Sequence, residues 1–288
     1  MRIYDLMFYF YIYSFLGWCT EVAFATVKQR QFVNRGFLNG PVCPVYGVGV
    51  VSVVTLLAPF RNRLLLLYVL SVILVTLIEG MTGWILDRLF HHKWWDYTAM
   101  PLNIGGYVCL LFSVVWGLAC VLIVKLIHPL TEKLVEILPV SAGLVLLTGF
   151  TACLAADVAV TTGSVLKLNR RLDMLEKIGL ELHEISDKMG SNIHENVMDA
   201  MEKFEDAAQE RKERLTSLTE ETKEKTEWMR RHSVQRYEEL RSKYEELAGA
   251  TLHGSRRLVK AFPKMESRKH KDLLEQMKKR LGEKSFRK

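Results

Sequence analysis

The sequence predicts an all-α protein: a polytopic membrane bundle of about five transmembrane helices, followed by a long, coiled-coil-like charged helix. Three observations carry this. Apolar stretches long enough to cross a bilayer crowd into the first 164 residues. Residues 165–254 are charged and keep helical spacing. The basic excess is concentrated in residues 255–288. The chain therefore divides into a transmembrane bundle (1–164), a charged coiled-coil helix (165–254) and a basic tail (255–288).

A span needs about 20 mostly apolar residues. Five stretches qualify, near 6–27, 42–60, 64–86, 104–127 and 137–160. Five such runs with so few charges exclude an ordinary soluble core. Ala23-Phe24-Ala25 has the small-residue look of a signal-peptidase site, but Glu21 beside it and the length of the run favour a retained helix. The five cysteines all lie in the apolar half, form no CxxC pair and are odd in number, so neither a disulfide framework nor a zinc site is expected.

Charge then sets the expected orientation. Residues 1–164 carry 10 basic and 8 acidic residues, residues 165–254 carry 16 and 20, and residues 255–288 carry 13 and 4. Lys28, Arg30, Arg35, Arg88, Lys93, Lys167, Arg170 and Arg171 fall on one side of the five-span arrangement. Arg2, Arg61, Arg63, Lys133 and a snorkelling Lys125 fall on the other. The positive-inside rule makes the richer side cytoplasmic. The expected protein sits in a cell membrane with its N-terminus outside and its C-terminal tail in the cytoplasm.

Beyond Val165, Leu182, Ile185, Met189, Ile193, Val197, Met201, Phe204 and Ala208 step by three or four, a stripe with an 11-residue period. Glu220–Lys223 and Glu221–Lys225 sit at helical contact spacing. The stripe resumes at Tyr237, Leu240, Tyr244 and Leu247, and Gly249, Gly254 and Pro263 are expected to break the helix. One helix of this length would carry its far end well away from the bilayer unless it folds back, with Gly190 or Gly249 as hinges. The stripe is a candidate seam for a homo-oligomer. The tail, with Leu273, Leu274, Met277 and Leu281 on one side of a short basic helix, is a candidate for anionic lipid. Nucleic acid fits less well, because no set of stacking aromatics accompanies the charge.

Candidate chemistry gathers in two loops. Residues 34–47 hold two prolines and three glycines, which deny regular helix. Irregular backbone at membrane depth persists only when buried in protein or lining a water cavity. The second loop runs from His91 to Gly106. Glu21, Glu79 and Asp157 are acids within spans, which is costly unless they are paired or wetted. Arg35 is the expected partner of Glu21 and Glu79. Glu21, Asn34, Arg35, Glu79, Asp96, Asn103 and Asp157 form the candidate polar site, which either takes an ion or polar substrate or locks loop to bundle. Trp94, Trp95 and Tyr97 read as membrane-interface anchors. His91 and Asp96 match an acyltransferase spacing only weakly. No Walker-type GxxxxGK[ST] occurs, so the chain has no P-loop of its own. No catalytic set, metal site or cofactor is expected, and the chain reads as a non-enzyme.

Gly17-Trp18 with Glu21, then NRGFLNGPVCPVYG, then Glu79, then WWDY with PLNIGGYVCL, resembles the bacterial integral membrane family of ABC-transporter type IV, the CmpB-like permeases. The resemblance covers about residues 6–130 and leaves out the charged tail. It implies a transporter-like component that works with a separate ATP-binding subunit. The rival reading is a membrane-anchored scaffold whose coiled-coil tail recruits or oligomerises partners.

Overall fold

The computed structural model describes the backbone of residues 2–206 and 214–286, with side chains described outside 192–197, 199–226, 229, 252–253 and 281–286. Expectations resting on Ile193, Val197, Met201, Phe204, Ala208, Leu281 and the Glu220–Lys223 and Glu221–Lys225 pairs lie outside the described residues. The chain forms two compact units: Met1–Asn169 with Gly254–Lys288, and Arg170–His253.

In the first unit, α1 (Ile3–Gln29) and α3 (Leu64–Phe90) each have 27 residues, about 40 Å of helix, enough to cross the hydrocarbon layer. Both end on a left-handed residue, Arg30 and His91, which turns the chain out of the helix. α4 (Leu110–Leu122) continues through a widened π turn at Ile123–Ile127, just ahead of Pro129, into α5 (His128–Ile137). A proline there cannot donate to the regular ladder. α6 (Val140–Asp206) begins after Pro139.

Among the described residues, four helices are long and apolar enough to cross a membrane: Ile3–Gln29, Leu64–Phe90, Leu110–Ile137 and Val140–Ser191. The fifth expected span differs. Its helix, α2 (Pro44–Leu56), has 13 residues, about 20 Å, because it starts only at Pro44 and gives way after Leu57 to a 3-10 turn, Ala58–Phe60, around Pro59. Large apolar side chains stay exposed along the spans, among them Leu65, Ile73, Leu77, Leu118 and Val145, as a lipid-facing surface requires. The interior is aromatic and aliphatic: Phe8, Tyr9, Tyr11 and Tyr13 of α1 meet Val50, Val53 and Leu57, with Leu67, Val124 and Leu147. α1 and α2 approach closely because Gly17 lies under Tyr46 and Gly47 lies against Ser14 and Phe10.

β1 (His92–Lys93) pairs antiparallel with β4 (Glu266–Ser267), and β2 (Asn103–Ile104) pairs with β3 (Val108–Cys109). The first pairing places the C-terminal segment, including α8 (Lys271–Phe286), on the bundle rather than free of it.

The second unit is built from α6 beyond Arg170 and from α7 (Arg214–Ala261) up to His253. Arg171 donates to the Ala250 carbonyl at 2.9 Å and Arg236 meets Glu181 at 3.0 Å, so the two helices run antiparallel. Leu172, Leu175, Leu240, Ala248 and Thr251 are buried in it. The expected hinges at Gly190 and Gly249 and the break at Gly254 are not used. All three glycines lie inside helix, and α7 ends at Ala261, one residue before the Phe262 that precedes Pro263.

Candidate functional site

The loop from α1 to α2 is anchored to the bundle along its length. The Trp18 indole donates to Asn34 Oδ1 at 2.8 Å, which also receives the Gly36 amide at 3.1 Å, and Asn34 Nδ2 donates to the Asn39 carbonyl at 2.7 Å. The Arg35 Nε lies 3.2 Å from Glu21 Oε2, and its guanidinium rests over the Phe24 ring at 5.0 Å. Glu21 Oε1 accepts from the Tyr46 hydroxyl at 2.6 Å. Asp157 of α6 accepts the Asn39 amide at 3.0 Å, the Asn39 side chain at 2.9 Å and the Gly40 amide at 2.7 Å. This carboxylate thus pairs two successive amides of the irregular chain. The Cys43 amide, donating to Ser14 O at 3.0 Å, sets the depth at the middle of α1.

The second loop is anchored as well. The Trp95 indole donates to Tyr107 O at 2.8 Å, and the Trp95 and Tyr107 rings pack on Gly83. Asn103 binds the Met100 carbonyl at 2.8 Å and receives the Gly106 amide at 3.2 Å, across a turn whose Gly105 and Gly106 have positive φ. Burial alone would raise the Asp96 carboxyl, but the Thr98 hydroxyl and amide, with Lys93, hold it below its usual range. The Tyr97 hydroxyl donates to Glu79 Oε1 at 3.3 Å. Burial first, then the charges of Glu79 and Glu21, push that phenol well above its ordinary range, so it remains a donor. Glu79 Oε2 is buried without a hydrogen-bond partner among the described residues.

The expected residues thus separate. Glu21, Asn34 and Arg35 meet, and Asp157 holds the next residues of the same loop. Glu79 meets Tyr97; among the described residues no ion pair joins it to Arg35, whose guanidinium is taken by Glu21. Asp96 and Asn103 shape the second loop. Trp94 is not a headgroup anchor: it is 4% exposed and packs edge-on against Phe37 and Phe262. Trp95 and Tyr97 are half-buried, with their polar atoms turned to Tyr107 and Glu79.

Four residues join the C-terminal segment to these loops, and two of them, Arg257 and Arg268, belong to the basic tail expected to meet anionic lipid. Arg257 donates to three successive carbonyls, Gly36, Phe37 and Leu38, at 3.1, 2.9 and 3.0 Å. Arg268 grips Asp87, with its Nε 3.1 Å from both carboxylate oxygens, and reaches the Tyr107 hydroxyl at 3.1 Å. Composition does not separate an arginine bonded to protein from one in water, which hides both in the basic tail. Beside Asp157, a cavity of about 570 Å³ opens between α1, α5 and α6, lined by Phe8, Phe15, Leu134 and Phe150, with Gly40 at one end.

A bundle of helices long and apolar enough to span a membrane, with irregular polar loops bonded into it, defines a multi-pass membrane protein of transporter-like build. The protein-family model described as "Putative ABC-transporter type IV" matches residues 8–162, and the chain belongs to that family. No curated protein and no solved structure matches the chain.

Proposed function

We propose that this chain is the membrane-spanning component of an ABC-type transporter, with ATP hydrolysis supplied by a separate subunit. The observation that supports it best is the loop 34–43, whose polar backbone and Arg35 are brought to Glu21 inside the bundle. A permanently buried tether needs no such irregular segment, whereas a route for a polar or ionic substrate does. The absence of a P-loop motif from the sequence accords with a separate ATPase. In this reading the loops and C-terminal segment face the cytoplasm and the N-terminus lies outside, following the charge bias. Exposed bases of the C-terminal segment, such as Arg256, Lys264 and Lys269, meet anionic headgroups.

The second reading is a scaffold, favoured by the charged helical hairpin of residues 170–253. In that reading the stripe beginning at Leu182 serves as a seam between copies of the chain. The two readings part on one experiment. Arg171 and Ala250 are bonded, so a short linker can replace residues 172–249 while residues 254–288 stay in place. The full chain and this deletion are purified from native membranes and assayed for a co-purifying ATP-binding subunit with ATPase activity. The transporter reading expects that subunit with both. Its absence from both refutes the reading, and its loss on deletion favours the scaffold.

A further inference from the structure

The first two helix–loop–helix segments of the bundle repeat in sequence at a fixed offset. Gly17-Trp18, Glu21 and Phe24 recur 66 residues later as Gly83-Trp84, Asp87 and Phe90. Gly40, Val42 and Cys43 recur at the same offset as Gly106, Val108 and Cys109. The helices that follow keep it: α2 covers Pro44–Leu56 and α4 covers Leu110–Leu122, 13 residues each, both starting directly after an extended cysteine. The preceding helices, α1 and α3, have 27 residues each. Both loops lie at one end of the bundle, since the Phe37 ring packs on Phe90 and Trp94. The copies therefore run in the same direction, as parallel repeats about an axis along the membrane normal do.

The repeat extends to the chemistry. In the first copy Glu21 receives the Tyr46 hydroxyl at 2.6 Å and the Arg35 guanidinium at 3.2 Å. In the second, Asp87 receives the Tyr107 hydroxyl at 2.5 Å and the Arg268 guanidinium at 3.1 Å. The acids are equivalent in sequence; their partners are not. Tyr46 follows Cys43 by three residues, and Tyr107 precedes Cys109 by two. The position equivalent to Arg35 is Pro101, which has no charge. The second copy therefore draws its arginine from the C-terminal segment.

We propose that the bundle is an internal duplication and that Asp87, with Tyr107, forms a second binding site equivalent to the Glu21 site, one that takes an alkylguanidinium or alkylammonium group and is occupied at rest by Arg268. Asp87 is 7% exposed, so its charge needs a resident cation, and a planar guanidinium is the group its two oxygens are set to receive. The Glu21 site is closed by its own loop, whereas the Asp87 site is closed by a segment that sequence places 181 residues away.

The test uses the full-length protein in detergent, with hydrogen exchange of residues 264–270 and Tm as readouts. The Arg268 amide, bonded to His91 O at 2.9 Å, reports docking directly. Asp87→Asn should lose that protection and lower Tm by roughly 3–8 °C. Asp87→Glu, and exchange of residues 83–90 for the sequence of residues 17–24, should retain protection, because the acids are equivalent. Loss of protection in both overturns the duplication. For the ligand, methylguanidinium should raise the Tm of Arg268→Ala above its value in sodium chloride of equal ionic strength. It should not do so for the Asp87→Asn/Arg268→Ala double variant. No rise, or an equal rise in both, overturns the site. Neither result depends on whether transport is ATP-driven.

Discussion

Arg268 closes on Asp87 across 181 residues of sequence, with its Nε 3.1 Å from each carboxylate oxygen, and so ties the C-terminal segment to the end of α3. Arg268 is half exposed while Asp87 is almost fully buried, which limits the pair's strength and makes its loss asymmetric. Arg268→Ala leaves a buried carboxylate with only Tyr107 and should cost about 1–3 kcal/mol of stability in detergent. Asp87→Asn/Arg268→Ala should cost less than the two single losses combined. Chemical denaturation of the four proteins measures this.

Arg257 is half-buried against three carbonyls of the 36–38 turn, a contact that suits a guanidinium fork. Arg257→Ala should destabilise by about 1–3 kcal/mol through the carbonyls left unpaired. Arg257→Lys should recover little of it, because an ammonium cannot reach all three. Full recovery by lysine would show that charge alone matters.

Close approach of α1 and α2 rests on single glycines. A Cβ at Gly17 would overlap the Tyr46 ring, and one at Gly47 would overlap Ser14 Oγ, whereas Gly49 has open space. Gly17→Ala and Gly47→Ala should each cost about 1–3 kcal/mol, and Gly49→Ala should be neutral or slightly stabilising. Parallel thermal melts of the three variants decide it.

His92 gives the C-terminal docking a pH dependence. Its Nε2 donates to Asn169 Oδ1 at 2.6 Å, and the ring lies near His91, His270 and the Glu266 backbone. Burial lowers its pKa below the ordinary 6.5, with the Asn169 bond opposing. The unfolded chain therefore takes up this proton first as pH falls. The contribution is intact above about pH 6.5 and is lost below it, toward the lower folded pKa. Tm should fall from pH 7 to pH 5, and His92→Gln should flatten that slope.

Much of this architecture is legible in the sequence, and the misses have physical causes. Length and hydropathy locate α1, α3, the α4–α5 helix and the apolar part of α6, because each crosses on its own composition. The 42–60 stretch is equally apolar, yet its helix starts only at Pro44 and gives way after Leu57 to a 3-10 turn around Pro59. Periodicity finds the stripe at Tyr237, Leu240 and Tyr244 but does not tell a seam between chains from one within a chain; Arg236 with Glu181 makes the latter contact. The acids within spans are visible by their cost, but pairing depends on reach, so Arg35 finds Glu21 and leaves Glu79 to Tyr97. Asp87 and Arg268 stay hidden because an acid at a helix end and a base in a basic tail are each unremarkable until the fold joins them.

The arrangement of the polar site is tested most directly by a double-mutant cycle on Glu21 and Arg35, read as Tm in detergent, with Glu79 and Arg35 as the comparison pair. The structure predicts that Glu21→Gln and Arg35→Gln each lower Tm, and that the double variant is clearly less damaged than the sum. Glu79→Gln with Arg35→Gln should be additive. Additivity between Glu21 and Arg35, or coupling between Glu79 and Arg35 in its place, would contradict a loop that carries Arg35 to Glu21.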